Sequence, residues 1–138
     1  MDLGKRIRRM KNQYGTCNPF EICRQEDIPI EYVDINCPLA ETLFLHDHPI
    51  ILLSGELAES RERYFVCAHE LAHVELHNGL QSYYAQNSAN RAKTECEANK
   101  FAAELCEQLY EEEHGERPDC FDCLYHTYGV NHEMMDYL

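Results

Sequence analysis

The residues of this sequence best suited to chemistry are His69-Glu70-Leu71-Ala72-His73, two histidines four apart with a glutamate beside the first. On a helix that spacing puts both imidazoles on one face, about 6 Å apart along the axis, so both can reach one ion. Zinc suits the pair because neutral imidazole nitrogens are good ligands for it. Glu70 is displaced sideways to where it can accept a proton from a water that the metal activates. A catalytic zinc needs a third protein ligand. His77 lies about 12 Å beyond His69, too far to share the ion on a straight helix. The alternative spacing, with a histidine six residues after His73, fails because that position holds Gly79. What remains is a carboxylate from another helix, and Glu95 is the candidate. It shares a face with Asn99 that continues toward Ala102 and Ala103, small residues that let a partner helix come close. Glu97 lies about 200° round the helix from Glu95 and cannot point at the same ion. Glu104, Glu107 and Glu111 to Glu113 read as a solvated face.

The elements that must position these residues follow from periodicity. No proline or glycine interrupts Ser60 to His77, and Phe65, Ala68, Ala72 and Leu76 recur at helical steps, which predicts a long helix ended by Asn78-Gly79. A second long helix is expected from about Arg91 to Glu113, with Ala98, Phe101, Ala102, Leu105 and Leu109 on one face. Upstream, Leu3, Ile7 and Met10 predict a short, frayed amphipathic helix over Leu3 to Tyr14, with basic residues between them and a break at Tyr14-Gly15. Asn18-Pro19-Phe20-Glu21 announces another that runs to about Asp27 and is stopped by Pro29. Strands are expected from Ile30, from Thr42 to His46 and from Ile50 to Ser54, the last two joined through Asp47-His48-Pro49. Gln81 to Asn90 reads as a loop. Beyond Pro118, short helices are predicted over Cys120 to Tyr128 and Asn131 to Tyr137. The fold class is α+β, a small sheet of about three strands packed on two long helices.

A chain of 138 residues suits one domain, taken as 1–138, and its apolar fraction of 44% is enough for a core. The longest aliphatic run, Ile50 to Leu53, is far short of the ~20 residues a membrane span needs. Net charge is −13, and five of the 12 basic residues crowd the first eleven positions. From residue 12 onward, 7 basic residues face 24 acidic ones, a balance of −17. That acidity argues against direct nucleic-acid binding. Eight cysteines could suggest a disulfide scaffold, but no apolar stretch follows the basic start, so reduced thiols and a cytoplasmic location are expected. Cys120-x-x-Cys123 is half of a zinc site without a second half at a usual spacing. Small apolar side chains on a late helix are the simpler reading.

Taken with Val74-Glu75-Leu76-His77 and with Glu95-Cys96-Glu97-Ala98-Asn99-Lys100-Phe101-Ala102-Ala103-Glu104-Leu105, the motif resembles the ImmA/IrrE metallopeptidase domain. The resemblance reaches Pro19-Phe20-Glu21-Ile22 and Pro49-Ile50-Ile51-Leu52-Leu53 upstream, covering roughly residues 15 to 110. It implies a minimal zincin-like, gluzincin-type fold with Zn2+ held by His69, His73 and Glu95. It also implies a protein substrate, a helix-turn-helix repressor of a mobile element or stress response. Relatives commonly follow the Phe-Ala-Ala segment with Leu-Leu-Met-Pro, whereas this chain reads Leu105-Cys106-Glu107-Gln108-Leu109 and continues as helix.

The expected mechanism has zinc in an open three-ligand site and Glu70 as general base for hydrolysis of a peptide bond. Tyr83, Tyr84, His126 and Tyr128 are the candidate donors to the oxyanion. His77 either bonds to a partner behind the ligands or sits at the helix end against the dipole. The rival reading is a non-catalytic zinc-containing module that docks a regulator, as in toxin and antitoxin pairs. Glu70 argues against it, because a structural site prefers four protein ligands and has no use for a base.

Overall fold

A computed structural model describes residues 2–36, 38–77 and 88–130. Helix α1 (Leu3–Tyr14) starts where the Asp2 side chain accepts the Lys5 N–H, and ends at Gly15, whose left-handed φ of 76° lets its N–H close on the Lys11 carbonyl. Helix α2 (Pro19–Gln25) is capped by Asn18, which accepts the Phe20 N–H at 3.0 Å, with proline at the first position.

Three strands follow: β1 (Ile30–Val33), β2 (Ala40–Leu45) and β3 (His48–Ser54). Their order is β1-β3-β2, with β1 parallel and β2 antiparallel to the central β3. The β2–β3 hairpin turns at His46 and Asp47, both at positive φ, and Leu45 already pairs with His48. The turn is therefore two residues long and earlier than the expected Asp47-His48-Pro49, because paired left-handed residues match the twist of the strands. Pro49 is tolerated inside the central strand because the β1 ladder begins only at Ile51, so its missing N–H faces no partner strand.

After a 3-10 turn at Gly55–Leu57 comes α3 (Arg63–Ala72), which passes without a break into a π-helical turn, His73–His77. The expected uninterrupted α-helix from Ser60 to His77 is thus corrected at both ends. The Ser60 hydroxyl accepts the Glu62 N–H in a turn ahead of the helix, and the last five residues are wound more widely. Helix α4 (Ser88–His114) is the longest element, and α5 (Phe121–Tyr128) closes the described chain. The expected loop over Gln81 to Asn90 lies mostly outside the described residues, and α4 takes in its last three. The Asn78-Gly79 stop and the helix over Asn131 to Tyr137 also lie outside them.

The core forms where α3 lies along α4. Ala68, Leu71 and Ala72 meet Ala98, Phe101, Ala102 and Leu105, with Ile51 and Leu53 of β3 and Ile7 and Ile22 of the first two helices buried around them. The alanines bring the two backbones close, which is what allows side chains on α4 to reach those on α3. Each buried Leu, Ile or Phe stabilises this arrangement by about 1.5–3 kcal/mol.

Candidate metal centre

His69 and His73 are four residues apart across the end of α3 and the start of the π turn, and their Nε2 atoms lie 3.3 Å from each other. Glu95, in the second turn of α4, reaches both: its Oε2 is 3.0 Å from His69 Nε2 and its Oε1 is 3.2 Å from His73 Nε2. The structure therefore brings the three expected ligands to one point. His73 is 1% exposed while the Glu95 side chain is 45% exposed, so the cluster is walled on the helix side and open toward the cleft.

The separations suit a small ion. Donors held at 3.0–3.3 Å from one another match the edge of a tetrahedron with metal–nitrogen bonds of 2.0–2.1 Å, about 3.3–3.4 Å. Two nitrogen ligands and a carboxylate are borderline donors of the kind zinc takes.

The imidazoles are also oriented from behind. Asn99 Oδ1 lies 2.8 Å from His69 Nδ1; an amide oxygen only accepts, so the ring proton sits on Nδ1 and the lone pair on Nε2. On the other ring the chain is longer. Glu97 Oε2, 3.2 Å from His77 Nε2, accepts the His77 proton; His77 Nδ1 is then the acceptor for His73 Nδ1–H at 3.1 Å, which leaves His73 Nε2 with its lone pair forward. His77 is 4% exposed, stands behind His73, and is also the basic residue in the last turn of the π segment, so both expected placements are compatible with its position. His73 and His77 are four residues apart, a spacing that puts neighbours on one helical face, and both lie in the π turn. Glu97 points away from Glu95, as their angular separation requires.

Glu70 sits 4.0 Å from His69 Nε2 through its Oε2, while its Oε1 accepts a 2.8 Å hydrogen bond from the buried Thr42 hydroxyl on β2. One ligand atom from each of His69, Glu70 and His73 lies within 4.8 Å of the others, a group able to hold a metal. Glu95 is nearer to both imidazoles than Glu70 is, and Thr42 holds Glu70 toward the sheet. The geometry thus distinguishes a carboxylate set between the two imidazoles from one held beside them by Thr42.

The electrostatics differ accordingly. When their Nε2 atoms are also protonated, His69 and then His73 donate to the Glu95 carboxyl and hold it well below the usual carboxylate range; in the ligating tautomer those lone pairs are instead available to an ion. Burial pushes Glu70 up, against the pull of His69, Thr42 and His73. Burial opposes charge on His69, yet Glu95, Glu70 and Asn99 outweigh it and raise its pKa.

A cleft of about 490 Å³ lies over the cluster, walled by Pro38, Ala40, Glu41, Thr42, Phe65, Val66 and Arg91. Thr42, Arg91 and Glu97 carried no signal of their role in the sequence, because their contacts cross between elements. Of the four expected oxyanion donors, Tyr83 and Tyr84 lie outside the described residues. Tyr128 is buried against Tyr64 and donates to Glu113, and His126 is exposed on α5, so neither lines the cleft.

Comparisons with known proteins bear on this geometry. The family model Peptidase_M78, described as the IrrE N-terminal-like domain, matches residues 23–137. A protein of Bacillus phage phi105 named "Uncharacterized immunity region protein 2" is 29% identical over 103 residues, which is 72% of this chain and 64% of that protein. The chain therefore spans less than two thirds of that relative's length. No solved structure matches the chain.

Proposed function

Because the chain belongs to the Peptidase_M78 family, the IrrE N-terminal-like domain, we propose that it is a zinc-dependent protease that cuts a helix-turn-helix repressor. His69, His73 and Glu95 would hold the ion. The observation that carries this reading is the meeting of two oriented imidazoles and one carboxylate at 3.0–3.3 Å, with a second carboxylate beside them and engaged elsewhere.

Zinc bound there would supply a Lewis acid that polarises the substrate carbonyl and acidifies a water. The rest belongs to the chain. Glu70 accepts the proton of the attacking water and passes it to the leaving amine nitrogen. Thr42 fixes one Glu70 oxygen, so the other is the one that faces the cleft. Burial keeps Glu70 a stronger base than an exposed glutamate, which suits it to hold a proton between the two steps. Asn99, and His77 backed by Glu97, keep the imidazoles in the tautomer that ligates. The wall of Phe65, Val66 and Pro38 gives a polypeptide an apolar surface to lie against.

The repressor as substrate is supported by the family resemblance, by the phage relative named for an immunity region, and by the strongly acidic body, which would draw in a basic DNA-binding partner. The test is incubation of the zinc-loaded protein with the helix-turn-helix protein encoded beside it. Wild type is expected to cut it. Glu70→Gln is expected to bind it and retain zinc but not cut. Binding without cleavage by wild type under any metal condition would replace the protease with a docking module.

A further inference from the structure

Cys120 and Cys123 stand apart from the metal cluster, at the start of α5, and their thiols face each other with the sulfurs 3.9 Å apart. The expected late helix is there, but the reading of both residues as simply small apolar side chains fits Cys120 poorly. Cys120 is exposed at the N-cap position, and Cys123 is partly so. The Cys123 N–H bonds to the Cys120 carbonyl at 3.2 Å, a turn that keeps the two Cα atoms within about 7 Å, inside the span a disulfide bridges. Among the described residues no further His, Cys, Asp or Glu completes a metal group at this pair.

We propose that Cys120 and Cys123 form a reversible dithiol–disulfide site that exchanges with small-molecule disulfides such as oxidised glutathione. The Cys123 thiolate attacks one sulfur of the glutathione disulfide, forming a mixed disulfide and releasing one glutathione thiolate, which takes up a proton. Cys120 then loses its proton to solvent and attacks the Cys123 sulfur, releasing the second glutathione. The net change is oxidation of two cysteine thiols to one disulfide and reduction of one glutathione disulfide to two thiols.

Four features make Cys123 the attacking group. The Cys120 backbone N–H donates to it, the Cys120 thiol and the Tyr110 hydroxyl add further hydrogen bonds, and together these lower its pKa. It also lies in the first turn of α5, where the helix dipole favours negative charge. Three core thiols provide an internal contrast. Cys17, Cys67 and Cys106 are buried in the core, and burial pushes each of their pKa values up, which keeps them protonated and inert.

The experiment equilibrates the reduced full chain with graded ratios of oxidised to reduced glutathione, then unfolds it in denaturant containing N-ethylmaleimide, so that every remaining thiol is labelled, and maps the peptides by mass. An intramolecular Cys120–Cys123 disulfide is expected to reach full occupancy while Cys17, Cys67 and Cys106 still take the label. Serine is a favourable N-cap residue and Cys120 makes no capping bond, so Cys120→Ser should fold. In that variant the mixed glutathione disulfide on Cys123 should accumulate, and Cys123 should react with a chromogenic aromatic disulfide about 10-fold faster than Cys120 does in Cys123→Ser. A pair that stays reduced in excess oxidised glutathione overturns the inference, as does accumulation of adducts on both thiols without ring closure. Faster reaction of Cys120 overturns the assignment of the attacking sulfur.

Discussion

An imidazole has two nitrogens and one proton, so a metal-binding histidine is only as good as whatever holds that proton on the far side. In this chain the holders are of two kinds. Asn99 presents a carbonyl directly to His69, and Glu97 acts on His73 through His77. Asn99→Ala and His77→Ala are each expected to weaken zinc binding about 10- to 100-fold, measured by competition with a chromogenic chelator, with the fold retained. Glu97→Gln should have a smaller effect of the same sign, since an amide oxygen still accepts from His77. Thr42→Val removes the bond that fixes Glu70. Its expected signature is full zinc content with a lowered turnover number, which separates misplacement of the base from loss of the metal.

Between elements, contact is made at a few close approaches. Gly129 ends α5 at φ 69°, and a Cβ there would come within 2.4 Å of Glu62 Cγ and 2.7 Å of Glu62 Cα. Gly129→Ala combines a left-handed strain with a backbone collision, and is expected to cost about 2 kcal/mol or more in urea unfolding. On the opposite side, α1 meets the π turn: the Arg6 guanidinium donates to the Glu75 carbonyl at 2.6 Å, and the Glu75 carboxyl is buried against that of Glu26. Burial, followed by the hydrogen bond and charge of Glu26, raises the Glu75 pKa to about 8. An acid whose folded pKa is raised binds its proton more tightly folded than unfolded. Its contribution to stability is full below its ordinary value of 4.5 and is lost as pH rises through about 8. Glu26→Gln removes the like charge, so it should raise Tm relative to wild type at pH 8.5 and make little difference at pH 5. Equal gains at both pH values would show that the effect is packing rather than charge.

Across the whole molecule the acidity is the dominant long-range feature, and the basic exception is concentrated on α1. No helix among the described residues is long and apolar enough to cross a membrane. If the acidic body draws in a basic partner, the association rate should fall steeply between low salt and physiological salt, where the screening length is about 8 Å. The dissociation rate should change much less, because dissociation reports the close contacts that salt does not reach. Stopped-flow association at three ionic strengths with Glu70→Gln, which is expected to bind without cutting, separates the two.

What the sequence determined by itself was whatever depends on periodicity and fixed spacing. α1 was legible to the residue, because its apolar positions and its glycine stop are local. The α+β class and the two main helices followed from the same signals, and so did the nomination of His69, Glu70, His73 and Glu95, since a 3.6-residue repeat assigns faces without knowledge of the partner. The tertiary structure decided what spacing leaves open. The π turn at His73–His77 sets the residues after His73 off the regular helical track, and it is there that His77 bonds to His73 and Glu97. Thr42 reaches Glu70 from a strand 28 residues earlier, and Arg91 faces the same cleft from α4. The thiols of Cys120 and Cys123, read from the sequence as small apolar side chains on a late helix, face each other at the start of α5, Cys120 exposed and Cys123 partly so. Each of these depends on how close two separately folded elements come and at what angle. That is set by the small side chains packed between them, and no local pattern in the chain encodes it.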